Sequence, residues 1–162
     1  MKATGIVRRI DELGRVVIPK EIRRTQRIRR GDPLEIFTTG DGEVIFKKYS
    51  PIGELQGVAM QYAEVLSKCF ALTAVVADRS ISQPLEKLME SRKPYLRQDA
   101  EQTVLPCEGS PRVLLCAFPI IAAGDVAGAV GLLTEDRSAK PDASQQKAVA
   151  VAAAFLAKQM EE

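Results

Sequence analysis

The sequence predicts an α+β protein of two unlike units, a small basic β-rich unit over residues 1–50 and an α/β sandwich over residues 54–162, with a short linker at 51–53. Two observations carry this reading. Charge is divided unevenly: residues 1–50 hold twelve Lys or Arg against seven Asp or Glu, a net +5, while the remainder holds eleven against fourteen, a net −3. Opposite charge in two halves suggests two units, the basic one meeting a polyanion. Hydrophobic periodicity divides at the same place, with β-branched runs and glycine turns before residue 50 and long stretches of helical spacing after it.

Taken in order, "TGIVRRI" (4–10) is rich in β-branched residues and leads into "DELG", a polar stretch whose glycine suits a turn. "RVVI" (15–18) resumes as a strand, and Pro19, with fixed φ and no amide hydrogen, ends it and suits the first turn of a helix. "KEIRRTQRI" reads as that short helix, closed near Gly31 and Pro33, and "LEIFTT" and "EVIFKK" flank a "GDG" turn as a second hairpin. A β-β-α-β-β unit of about 50 residues buries too little core to stand alone comfortably. Dimerisation remedies this, and it duplicates the basic segment about a two-fold axis, which suits a DNA site with related halves.

After the Pro51–Gly53 junction, Leu55, Val58, Ala59, Tyr62, Leu66, Cys69 and Phe70 recur at helical spacing and predict a helix over 54–71. "TAVVAD" follows as a buried strand and "PLEKLMESRK" as a short helix opened by Pro84. "VLLCAFPII", the turn "AAGD" and "VAGAVGLLT" predict two adjacent antiparallel strands at the centre of a sheet. Asp142 or Ser144 caps the last helix, "ASQQKAVAVAAAFLAKQM".

Composition also excludes. With 46% hydrophobic and 27% charged residues the chain is globular in balance. No histidine occurs, which removes the Ser-His and Cys-His couples and the commonest metal ligand. Cys69, Cys107 and Cys116 show no C-x-x-C spacing, so neither a zinc site nor a disulfide framework is suggested. No Gly-rich phosphate loop occurs either. We therefore expect a protein without enzymatic activity or cofactor. The amino terminus has no signal-like apolar core, and no apolar run approaches the roughly 20 residues a bilayer requires, so a cytoplasmic protein with no membrane partner is expected.

"TGIVRRIDELGRVVIPKEIRRT" and "LEIFTTGDGEVIFKKYSPI" resemble the DNA-binding domain of AbrB-type transition-state regulators, and the remainder, ending in "AVAVAAAFLAKQM", resembles a GAF sensor domain. The pairing points to regulators of sporulation in spore-forming Firmicutes. The resemblance implies a swapped-hairpin β-barrel dimer on double-stranded DNA, with GAF-like domains associating into a homotetramer. It implies both activation and repression, and readout of DNA shape more than of strict sequence. Arg8, Arg15, Arg23 and Arg24 fall on the family's DNA-contacting positions, and Arg9 stands where the family keeps a basic residue. Adjacent strand residues point to opposite faces, so Arg8 and Arg9 do not share one face in a simple strand. Arg27, Arg29, Arg30, Lys47 and Lys48 are expected to add field rather than contacts.

Two departures from the family pattern stand out. Gln26 occupies a position where relatives place leucine, and "VVADRSISQPLEKLMESRKP" lacks around sixteen residues that help wall the sensor pocket. The second domain is therefore expected to oligomerise rather than bind a small-molecule effector. A rival reading follows from the same barrel type, which also occurs in antitoxins that wrap a partner protein with an extended tail. Here a helix-bounded domain occupies that place.

Overall fold

The computed structural model describes residues 4–78, 83–98 and 103–161. Lys2 and residues 79–82 of the shortened segment lie outside the described residues. The chain divides into two compact units, Met1–Tyr49 and Ser50–Glu162.

Among its described residues the first unit contains one helix, α1 (Lys20–Thr25), and one paired hairpin of β1 (Leu34–Thr38) and β2 (Val44–Lys48). The hairpin runs in antiparallel register from Leu34 opposite Lys48 to Thr38 opposite Val44. Gly42 closes its turn with φ +81°, a backbone that a side chain disfavours. The Thr39 hydroxyl reinforces that turn by accepting from the Glu43 amide at 3.2 Å.

Among the described residues, segments 4–10 and 15–18, predicted as strands, form no ladder. The Asp11 amide donates to Arg15 O where the chain reverses between them, and no run of paired bonds extends from it. The predicted helix over 20–28 also ends early, at Thr25. Gln26 caps it, and Arg27 turns into the left-handed region at φ 52°. The Ile28 amide then donates to Arg23 O at 2.7 Å and the Arg27 amide to Arg24 O at 3.2 Å. These two bonds form a Schellman motif that stops the helix without glycine. Gln26 is exposed at this cap, where a polar side chain stays in water.

The second unit packs helices on both faces of a four-stranded antiparallel sheet. Its elements are α2 (Pro51–Glu54), α3 (Gln56–Phe70), β3 (Thr73–Asp78), α4 (Gln83–Glu90), β4 (Tyr95–Leu96), β5 (Val113–Ala122), β6 (Asp125–Thr134) and α5 (Ala143–Gln159). The strand order is β3-β6-β5-β4, so the predicted pair β5 and β6 is central. Residues 51–53, read from Pro51 and Gly53 as a linker, lie within α2, and Ile52 is buried in the core.

One face of the sheet offers Leu115, Cys116, Ile120, Val130 and Leu132 to Ala59 and Leu66 of α3 and to Val149, Ala152, Ala153 and Leu156 of α5. The other offers Ala77, Leu114, Ala117, Ala129 and Leu133 to Leu85 and Met89 of α4. Asp142 caps α5 in a reciprocal box: its carboxylate accepts from the Gln145 amide at 2.8 Å, and the Gln145 side chain accepts from the Asp142 amide at 2.9 Å. Arg97 is buried beside β4, where its guanidinium donates to the carbonyls of Asp136, at 3.3 Å, and Arg137, tying the sheet edge to the loop before α5.

Candidate nucleic-acid interface

The turn at residues 11–15 is built by Asp11. The Asp11 amide donates to Arg15 O and the Gly14 amide to Asp11 O, both at 3.0 Å. Its carboxylate Oδ1 accepts from the Leu13 amide at 3.0 Å and the Arg15 amide at 2.8 Å. Gly14 completes the reversal at φ +74°. The Arg15 side chain then folds back, its Nε donating to Asp11 Oδ2 at 2.8 Å, while the guanidinium end stays open to solvent. The Arg15 amide, first, and then its guanidinium hold the Asp11 carboxyl below its ordinary range.

Four residues on, Pro19 gives way to α1, whose last turn carries Arg23 and Arg24, both exposed. Pro19 O accepts from the Arg23 amide at 2.9 Å, which seats that turn. Arg8 and Arg9 are exposed on the segment leading to the turn. Arg15 thus stands on the turn and Arg23 and Arg24 on the short helix that follows it, all three exposed. No bond within the described residues ties Arg8 or Arg9 to them.

Two residues expected only to add charge have definite partners. Lys48 Nζ donates to Arg27 O at 2.8 Å and lies 3.1 Å from Asp32 Oδ2, which also accepts from the Arg29 amide at 2.8 Å. Lys48 therefore braces the loop between α1 and the hairpin. Lys47 lies over the Phe37 ring, 4.8 Å from its centroid. Sequence reasoning missed the Lys48 bracket because Asp32 lies sixteen positions away with no periodic link.

In the second unit an open groove of about 350 Å3 runs between α2, α3 and β3, lined by Ile52, Ala59, Met60 and Val76 with Ser50, Gln56 and Asp78. Ser50 Oγ is buried there with no hydrogen-bond partner among the described residues. Among the described residues no group of His, Cys, Asp or Glu is arranged to hold a metal ion. No helix among them is long and apolar enough to cross a membrane.

Exposed arginines on a turn and a short helix, in a chain that also carries a separate sheet domain, suit a DNA-binding regulator. Comparison with known proteins gives that class a family. Residues 76–161 match the family "Stage V sporulation protein T C-terminal, transcription factor", and residues 7–54 match "Antidote-toxin recognition MazE, bacterial antitoxin". The chain is 47% identical to stage V sporulation protein T of Bacillus subtilis (strain 168), with all of both chains covered. That alignment spans 181 positions, so 181 − 162 = 19 or more have no counterpart here. A 51-residue stretch is 61% identical to the transition state regulatory protein AbrB of the same organism, covering 32% of this chain and 52% of that protein. The chain belongs to the stage V sporulation protein T family of transcription factors. It is a DNA-binding sporulation regulator with an AbrB-like first domain and a sheet-based second domain.

Proposed function

We propose that the protein binds double-stranded DNA as a dimer through residues 1–50, with a swapped-hairpin barrel shared between two chains, and both activates and represses sporulation genes. Residues 54–162 form a GAF-like domain that brings dimers together as tetramers, with residues 51–53 at the junction. The protein acts on the nucleoid in the cytoplasm, in the forespore, and catalyses nothing. Arg8, Arg15, Arg23 and Arg24 contact DNA, and Arg9 adds to the same surface. Guanidinium groups bridge phosphates and also pair with guanine edges, so one patch serves both affinity and readout.

The observation that carries this is the unfinished state of the first unit. Among residues 4–49 only Pro19 is buried, while Val7, Ile10, Val17 and Ile36 remain 85, 72, 70 and 62% exposed. A unit that leaves so much apolar surface in water is stabilised by a second copy, and the arginines then recur about a two-fold axis. The antitoxin reading draws on the match over residues 7–54. Against it, the transcription-factor match over residues 76–161 lies where an antitoxin would carry its tail.

The double variant Arg15→Ala, Arg23→Ala tests the reading. It is expected to abolish DNA binding in a salt-titrated assay while sedimenting like wild type. If each of two chains neutralises three or four phosphates, log affinity of the wild type falls against log salt with a slope of about −5 to −7. Unchanged binding by the double variant would overturn the assignment.

A further inference from the structure

Asp11 lies within a basic surface that meets a polyanion, and an uncompensated carboxylate there opposes binding. Its environment shows what it does instead. Every polar atom of Asp11 bonds within the turn: amide to Arg15 O, carbonyl to Gly14, Oδ1 to the amides of Leu13 and Arg15, Oδ2 to Arg15 Nε. The Arg15 side chain is nevertheless 70% exposed. Nε is the one guanidinium nitrogen that lies along the stem, so engaging it fixes the plane of the group and leaves the Nη edge unengaged.

We propose that Asp11 is a positioning residue for DNA recognition, holding the Arg15 guanidinium with its Nη edge turned outward to meet the duplex. This rests on the reading of Arg15 as a DNA contact. An arginine loses considerable rotamer freedom when it binds, and a pairing already made in the free protein removes part of that cost beforehand. Depression of the Asp11 carboxyl's pKa agrees with a carboxylate that stays ionised and paired in the free protein.

The sign of one substitution separates positioning from simple electrostatics. Asp11→Asn keeps an oxygen for the Leu13 and Arg15 amides and removes the negative charge that pairs with Nε. Field effects alone predict tighter binding, because a negative charge leaves the DNA face. Positioning predicts binding about three- to tenfold weaker.

The experiment measures full-length protein on a duplex of about 30 base pairs carrying two A-tracts one helical turn apart, for wild type, Asp11→Asn, Arg15→Ala and the double variant. Weaker binding by Asp11→Asn, with no further loss when it is added to Arg15→Ala, is the expected result. Binding by Asp11→Asn that is equal or tighter overturns the proposal, as does an equal loss in both backgrounds, which would mark a role in folding the turn. If Arg15→Ala alone binds like wild type, the contact reading itself fails, a separate outcome from failure of the positioning.

Discussion

Cys116 shows how the environment of a single residue sets its chemistry. It lies fully buried in β5, and burial, the main cause, pushes its thiol up to about 11 from 9.0. The folded state disfavours the thiolate, so the thiol's contribution to stability is complete below its unfolded pKa and lost as pH rises through about 11. Cys69 and Cys107 are exposed. Native protein at pH 8 is therefore expected to titrate two thiols rapidly with a disulfide reagent and the third only in denaturant. Three fast thiols would contradict the burial of Cys116. The spacing of these cysteines suggested neither ligands nor disulfides, and which one was buried depended on the register of β5 against β6. The arginines were more legible, since Arg15, Arg23 and Arg24 stand beside turn and helix signals that fix their exposure locally. The Asp11 bracket could also have been read, because an Asx residue before a glycine turn bonds its own backbone two residues on.

At the scale of elements, α2 depends on a glycine 76 positions further along the chain. Pro51 starts the helix, and Ile52 inserts against the sheet at Gly128, where a methyl group would collide with Ile52 Cδ1 and the Ala77 carbonyl oxygen. The carbonyl belongs to the backbone of β3 and cannot rotate aside. Gly128→Ala is expected to lower stability by about 1–3 kcal/mol, the range for overpacking a core, read as a fall in the urea midpoint. An unchanged midpoint would mean that α2 does not seat on β6 as described. Local sequence marks Pro51 and Gly53 as breakers, which is why residues 51–53 read as a linker. The contact that makes them a helical turn is non-local. Where signals are local the sequence reads well: the β5–β6 pair, the turn at Ala123 and Gly124, and the cap at Asp142 all follow from short-range patterns.

At the scale of the whole molecule, segments 4–10 and 15–18 carry strong β-propensity yet have no ladder among the described residues. Propensity reports a residue's fitness for a pleated surface, while the ladder needs a neighbour, and the proposed neighbour is a second copy. Val17 and Ile36 offer a direct test because both are large, apolar and mostly exposed in a unit that buries little else. Charge placed at these positions would be desolvated on association, whereas on a free surface it costs little. On the proposed tetramer, the variant Val17→Asp, Ile36→Asp is therefore expected to halve the sedimenting mass, leaving chains joined only through the second unit. Its DNA affinity should fall about 100-fold or more, since the two arginine clusters no longer act as one bivalent surface. Sedimentation of wild type at the 17.7 kDa of one chain, or a variant with the mass and affinity of wild type, would defeat the shared-barrel reading. The arginine double variant supplies the converse control: it is expected to lose affinity at unchanged mass, so assembly and contact are separated by measuring both quantities on the same two proteins.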